Sequence, residues 1–342
     1  MRPIRVLIVE DSMVFRELLV QNLSKDPAIE VVGVAKDPFE ARDAIIRCKP
    51  DVMTLDVELP RMSGIEFLQK LMPQYPLPVV VISALSDKVF DALNAGAVDF
   101  VAKPSVSSRV QLEDFIKNEL LVKIKIASTA KISQIKQKAV ANEQPGLSGK
   151  KTDLIVAIGA STGGTEAIFS VVKDFGVDIP GVVIVQHMPP GFTAMYAKRL
   201  DDQCRVHVKE AQTGDRVLPG HVLIAPGGDK HMHLVKVNGV YQVEVKPGPK
   251  VNGHCPSVDV LFDSVAKTAG SKALGIILTG MGGDGAKGLL AMRKAGARTI
   301  GQDESTCVVY GMPKVAYDIG AVEYQEKLQD IAKKTYAVLN KM

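Results

Sequence analysis

The chain has 342 residues, 46% hydrophobic and 23% charged, a length and balance that fit two globular domains with full-sized cores. Its 42 basic and 38 acidic side chains leave a net +4, too small an excess for wholesale nucleic-acid binding, and no apolar run approaches the ~18 residues needed to span a bilayer. The opening apolar run 6–9 ends at Glu10 and Asp11, which argues against a signal peptide; Cys48, Cys204, Cys255 and Cys307 are too scattered for a zinc ribbon or disulfide framework, so a reducing cytoplasm is the expected setting.

Through residue 120, short apolar runs alternate with amphipathic stretches. Runs 4–9, 29–35, 52–55, 79–82 and 99–102 read as strands, and 12–24, 38–47, 63–72, 87–95 and 109–120 as helices. Continuous β-branched strands between helices imply a parallel sheet covered on both faces, so residues 1–122 are expected to form a five-unit doubly wound α/β domain. This block carries 14 basic and 18 acidic side chains, whereas 123–150 carries six and one. That basic strip ends in a polar segment containing Pro145, Gly146 and Gly149 and reads as a solvated linker with a helical start, in preference to a membrane-contacting basic helix. No repeat of 20–50 residues is evident.

Five polar side chains of the first domain fall at the carboxyl ends of expected strands: Glu10 and Asp11 after the first, Asp56 after the third, Ser83 at the end of the fourth and Lys103 closing the fifth. In an open parallel sheet those ends converge on the ligand crevice. Three carboxylates there repel one another unless a hard cation joins them, and Mg²⁺ is the natural choice. Phosphoryl transfer asks mainly for positioning and charge neutralisation, and Asp56, following a fully apolar strand, is the candidate acceptor. Lys103-Pro104 is an X-Pro bond in a tight position that admits a cis peptide. Residues 1–122 resemble a response-regulator receiver domain, with metal-binding Glu10, Asp11 and Asp56, phospho-acceptor Asp56, and switch residues Ser83, Phe100 and Lys103. The family often has Asp at the position of Glu10 and frequently Tyr at that of Phe100, whose ring can still rotate inward.

From residue 152 the α/β rhythm resumes in a block with 22 basic and 19 acidic side chains. Strands are expected at 154–158, 182–186, 222–225 and 273–279, and the period-two alternation of 232–247 around Asn238-Gly239 reads as a hairpin, giving a mostly parallel sheet with an antiparallel insertion. The first of these strands runs into Gly159-Ala160-Ser161-Thr162-Gly163-Gly164, which fits G-x-S-x-G, a sharp turn presenting a serine hydroxyl at a helix N-terminus. The same letters fit a phosphate cradle, though without the Lys of a P-loop or a full dinucleotide fingerprint. His187 ends the second strand and Asp284 follows the fourth, so serine, imidazole and carboxylate arise at three strand ends of one sheet, the arrangement acyl transfer needs. The order Ser…His…Asp argues against the common α/β-hydrolase fold. His231, His233 and His254-Cys255 have no zinc spacing, and Met188, Met195, Met281 and Met292 read as packing residues.

Residues 152–342 resemble the catalytic domain of the chemotaxis protein-glutamate methylesterases, through GASTGG at 159–164, QHMPPG at 186–191, APGGDKH at 225–231 and LTGMGGDGA at 278–286. With the receiver, the likeness covers essentially the whole chain. It implies a flavodoxin-like receiver (1–122), a basic linker (123–150) and a Rossmann-like methylesterase domain (151–342). It further implies Ser161 as nucleophile, His187 as base, Asp284 as acid, and backbone groups of Thr162 and Met281 as oxyanion donors. The implied activity is a phosphorylation-activated serine hydrolase that demethylates glutamate γ-methyl esters on chemoreceptors and deamidates their glutamines, with the unmodified receiver obstructing the catalytic cleft. Its implied partners are methyl-accepting receptors as substrate and a chemotaxis histidine kinase as phosphodonor. The expectation is a monomer needing Mg²⁺ in the receiver and no cofactor for the esterase, with no nucleic-acid partner and no membrane insertion. Residues 151–342, nearly neutral and strand-rich, do not suit a transcription factor's recognition helix.

Overall fold

The computed structural model describes residues 2–84, 87–104, 109–132, 146–147 and 153–342, in two compact units, Met1–Ile135 and Lys136–Met342. In the first, β1 (Ile4–Val9), α1 (Met13–Leu23), β2 (Ile29–Ala35), α2 (Pro38–Cys48), β3 (Val52–Asp56), α3 (Gly64–Leu71), β4 (Val79–Ser83), α4 (Lys88–Asn94) and β5 (Asp99–Ala102) alternate strictly. Every strand pairing is parallel and the order is β2-β1-β3-β4-β5, the flavodoxin-like arrangement. The central strands β3 and β4 are buried at every residue, which is why they are continuous apolar runs rather than alternating ones. Helix starts are set locally. The Ser12 hydroxyl accepts from the Phe15 N–H, Asp37 caps α2 ahead of Pro38, and Ser63 and Glu66 form a reciprocal capping box on α3. Each cap contributes about 0.5–2 kcal/mol. Gly64 is required by close approach, since a Cβ there would lie 2.3 Å from the Asp56 carbonyl oxygen.

The last helix of this unit runs further than expected. It comprises α5 (Arg109–Phe115), a π-helical turn (Ile116–Leu120) and α6 (Leu121–Ala127). Ile124 and Ala127 are fully buried, the Lys123 ammonium donates to Asp99 Oδ1 and the Phe100 carbonyl (both 2.6 Å), and Lys125 reaches Asp26 at 2.6 Å. A boundary at residue 122 therefore cuts a packed helix, and the start of the basic strip belongs to the first unit. Of the remaining strip, only 128–132 and 146–147 are described; the Leu147 N–H already donates to Asp178 Oδ2 of the second unit at 2.7 Å. Among the described residues the one cis peptide is Cys255-Pro256, so Lys103-Pro104 does not take the cis form that its tight position admits.

The second unit contains β6 (Ile155–Ala160), α7 (Gly164–Val172), β7 (Gly181–Gln186), α8 (Phe192–Gln203), β8 (His207–Glu210) and β9 (His221–Ile224), then β10 (Lys230–Val237), β11 (Val240–Pro247) and α9 (Val258–Ala269). It closes with β12 (Ala273–Ile277), α10 (Ala286–Lys294), β13 (Arg298–Gln302), α11 (Met312–Asp318), β14 (Tyr324–Glu326) and α12 (Leu328–Leu339). Seven strands form an all-parallel sheet in the order β14-β13-β12-β6-β7-β9-β8, with β12, β6 and β7 buried throughout. The hairpin is not inserted into this sheet. β10 and β11 form a separate antiparallel pair joined by Asn238 (φ 49°) and Gly239 (φ 81°), the left-handed pair a type I′ turn requires. Its inner face, Met232, Leu234, Tyr241 and Val243, shares a core with Leu261, Phe262 and Val265 of α9. Burying a side chain such as Phe262 stabilises by about 1.5–3 kcal/mol. Backbone bonds fix the hairpin to that helix: the Leu234 N–H donates to the Ser264 hydroxyl (2.8 Å) and the Thr268 hydroxyl to the Leu234 carbonyl (3.0 Å).

Candidate active site and acidic pocket

In the first unit the strand ends gather the expected side chains. Glu10 and Asp56 are buried, while Asp11 is exposed at the rim, and the nearest carboxylate oxygens of all three lie within 4.8 Å of one another. The Lys103 ammonium bridges the pair, 3.0 Å from both Glu10 oxygens and 2.5 Å from Asp56 Oδ2, with the Phe15 ring beneath it at 4.7 Å. Asp56 Oδ1 accepts from the Glu58 N–H at 2.8 Å. Burial, reinforced by the charge of Asp56, pushes Glu10 up to about 7 despite Lys103. One ammonium therefore does not neutralise the pocket. Ser83 is buried at the end of β4, and the Phe100 ring is turned inward, edge-on to Phe90 at 6.5 Å. A cleft of about 650 Å³ opens beside Asp11, Glu58 and Lys88.

In the second unit the sheet order places β6 between β12 and β7, so the turns that follow these three strands are neighbours. Ser161 follows β6 directly; its N–H donates to the Thr279 carbonyl (3.0 Å), and its carbonyl accepts from Gln186 Nε2 (2.9 Å). Gly163 (φ 75°) makes the turn into α7, and a Cβ there would meet Val308 at 2.7 Å. His187 follows β7, and its N–H donates to the Ala160 carbonyl at 3.2 Å, so Ser161 and His187 begin adjacent paths off paired strands. Asp284 comes from the turn before α10.

The imidazole and the carboxylate are joined. His187 Nε2 lies 2.8 Å from Asp284 Oδ2. The remaining donors to Asp284 are the Val258 N–H on the same oxygen (2.7 Å) and, on Oδ1, the Ser257 hydroxyl (2.7 Å), Asn252 Nδ2 (2.9 Å) and the Asp259 N–H (3.3 Å). The carboxylate thus caps the N-terminus of α9, where unpaired N–H groups favour an anion. Burial alone would raise its pKa, but hydrogen bonds from His187, Asn252 and Ser257 outweigh that and hold it well below the usual carboxylate range. With Asp284 ionised, Nε2 must carry the proton, leaving Nδ1 as the basic nitrogen. Nδ1 is buried and has no hydrogen-bond partner among the described residues. Catalytic hydrogen bonds are often long or unmade until substrate binds. The Met281 side chain is exposed, and Thr162 is buried at the head of α7.

Several contributors carried no local signal. Asn252, Ser257 and the start of α9 meet Asp284 only through the tertiary fold, although Ser257 ahead of an apolar run is a recognisable N-cap. His231 is buried, its Nδ1 accepting from the Ser257 N–H at 3.1 Å and its Nε2 donating to the Pro249 carbonyl at 2.8 Å. It is a satisfied core histidine that holds the capping residue.

Residues 156–335 match the CheB methylesterase family, and residues 6–115 match the response regulator receiver domain. The chain is 63% identical to a protein-glutamate methylesterase/protein-glutamine glutaminase of Syntrophomonas wolfei, covering 100% of this chain and 99% of that protein. It is 52% identical to the protein of the same designation from Syntrophotalea carbinolica, over 99% and 98%. The catalytic domain of the Thermotoga maritima CheB methylesterase superposes with a TM-score of 0.53 at 40% identity, covering 56% of this chain and all of that domain.

Proposed function

Given that the chain belongs to the CheB methylesterase family and carries a response-regulator receiver domain, we propose that it hydrolyses γ-glutamyl methyl esters of chemoreceptors and deamidates receptor glutamines under control of phosphorylation at Asp56. The observation that carries the esterase reading is the 2.8 Å His187–Asp284 bond together with an unpartnered, buried Nδ1 one strand away from Ser161.

Ser161 Oγ attacks the ester carbonyl carbon as His187 Nδ1 takes the hydroxyl proton, and Asp284 stabilises the imidazolium through Nε2. The charge on the tetrahedral oxygen is met by the backbone N–H groups of Thr162, at the N-terminus of α7, and Met281, whose N–H bonds to no other described residue. The C–O bond to methoxide breaks as His187 returns the proton, releasing methanol and leaving a γ-glutamyl ester on Ser161. Water then attacks that ester with His187 again as base, freeing the glutamate and the serine. A glutamine side chain follows the same course with ammonia as the leaving group.

The acidic pocket fits a hard divalent cation, because three carboxylates converge there and burial, reinforced by the charge of Asp56, raises Glu10 to about 7. Mg²⁺ held by Glu10, Asp11 and Asp56 would supply the positive charge that phosphoryl transfer to Asp56 requires. Lys103 keeps Asp56 oriented, and the cleft beside Asp11 admits the phosphodonor, in the family's logic a histidine kinase. The phosphoryl group adds about −1.5 to −2 charges beside Lys103 and Ser83. A chemoreceptor substrate and a kinase phosphodonor are consistent with action in the cytoplasm; among the described residues no helix is long and apolar enough to cross a membrane.

Methanol release from methylated receptor fragments, with and without phosphodonor, tests the reading, alongside mass spectrometry of fluorophosphonate-labelled peptides. Labelling confined to Ser161, and loss of methanol release in Ser161→Ala, are expected. Ser161→Ala turning over at the wild-type rate would end the assignment.

A further inference from the structure

Beyond its bond to Asp284, the His187 ring makes a second contact. The rings of His187 and His254 stack at a centroid distance of 3.7 Å with an interplanar angle of 9°. His254 closes a four-residue turn, Val251 to His254, in which each end donates an N–H to the other's carbonyl at 2.9 Å. Asn252 (φ 51°) and Gly253 (φ 84°) take the left-handed conformations of a tight reversal. The turn is pinned through Asn252 Nδ2, which donates to Asp284 Oδ1 at 2.9 Å and to Asp259 Oδ2 at 2.7 Å. The carboxylate that engages His187 therefore also anchors the turn that supplies the stacked ring.

We infer that His254 is a positioning residue for the esterase reaction: its flat face fixes the plane of the His187 imidazole so that Nδ1 is held ready for the Ser161 hydroxyl. The inference rests on the nucleophile and base assigned above. A single hydrogen bond from Nε2 to Asp284 leaves the ring free to swing about that contact, and the unpartnered Nδ1 supplies no second tether. Stacking removes that freedom by confining rotation about the Cβ–Cγ bond, while Asp284 decides which edge of the ring faces the acid. Each contact fixes what the other leaves open. The same face suits the intermediate, because a π-system lying flat against the imidazolium attracts its charge.

The test uses the full-length protein and two readouts: methanol release from methylated receptor, and the rate of Ser161 phosphonylation by a small fluorophosphonate, which needs an activated serine but no receptor binding. His254→Leu keeps apolar bulk without a flat π-face, and His254→Phe keeps the face without ring nitrogens. His254→Leu is expected to lose about ten- to a hundredfold in kcat and in labelling rate with KM unchanged, the scale at which slight misplacement of a reacting group acts. His254→Phe is expected to recover to within about threefold of wild type. If His254→Leu matches wild type, or if His254→Phe is as slow as His254→Leu in folded protein with a native melting temperature, the inference is overturned. Ser161→Ala run in parallel separates the two levels: an active Ser161→Ala removes the nucleophile assignment itself, whereas an inactive Ser161→Ala with indifferent His254 variants removes only the positioning role.

Discussion

The two units solve opposite electrostatic problems with the same architecture. Each gathers carboxylates beyond the carboxyl ends of parallel strands. In the first unit Glu10, Asp11 and Asp56 outnumber the single ammonium of Lys103, and burial, reinforced by the charge of Asp56, raises Glu10 to about 7. In the second, Asp284 stands among five donors, three of them from Ser257, Val258 and Asp259 at the head of a helix, and its proton is lost more readily than usual. A pocket with too few donors is built to accept charge from outside; one with a full set carries its charge permanently. In the proposed mechanism the first takes a cation and a phosphoryl group, and the second is a fixed acid behind a base.

The sharpest way to break this contrast is Asp284→Asn. An amide presents one acceptor and one donor to a site lined with donors, so it loses the imidazolium partner and leaves α9 N–H groups unpaired. Turnover is expected to fall by about 10⁴, as for the equivalent change in other triads. The same variant sharpens the pH argument. Because the folded pKa of Asp284 is depressed, its contribution to stability is fully present above the unfolded carboxylate value near 3.8 and disappears as pH falls through the lower folded value. The stability gap between wild type and Asp284→Asn, read from urea midpoints, should be constant from neutral pH to about 5 and narrow in stronger acid. A gap that widens on acidification would contradict the donor count.

Next in size, Asp56→Asn should leave basal methanol release intact and abolish the increment produced by phosphodonor, an increment of about 5- to 150-fold for a coupling of about 1–3 kcal/mol. Retention of that increment would place the acceptor elsewhere. Comparable in size is the effect of the metal alone. At a hundred times its Kd, Mg²⁺ should stabilise the first unit by about 2.7 kcal/mol, reversed by chelator and absent in Asp11→Ala/Asp56→Ala. A melting transition indifferent to Mg²⁺ would mean that the crowded carboxylates serve some other end. The smallest expected effect is at Lys123, which ties α6 to Asp99 and the Phe100 carbonyl; Lys123→Met should lower stability by about 1–2 kcal/mol in thermal melts.

What could be read before folding follows the same division. β1, β2 and β5 have the expected bounds; β3 and β4, buried at every residue and so unbroken apolar runs, extend one residue further. β8, β13 and β14 were not foreseen: HVKE and YQE sit at the sheet margins with little apolar content, and RTIGQ is interrupted by glycine. Ser161, His187 and Asp284 stood out because each ends a strand or sits in a glycine turn. Asn252, Ser257 and His254 did not, because their roles arise only when α9 and its preceding turn fold against the sheet. The helical start of the basic strip was legible, but its membership of the first unit was not, since burial of Ile124 and Ala127 is a tertiary fact.

The two nitrogens of His187 are not equivalent. The outer atom, Nε2, is engaged by Asp284, whereas Nδ1, nearer its own backbone, is buried with no hydrogen-bond partner among the described residues. An alkylating affinity label delivered to this centre would consequently deposit its carbon on the inner nitrogen. Fragmentation of the modified peptide would distinguish that product from the outer-nitrogen adduct, and the label's regiochemistry would record the ring's orientation in the working enzyme.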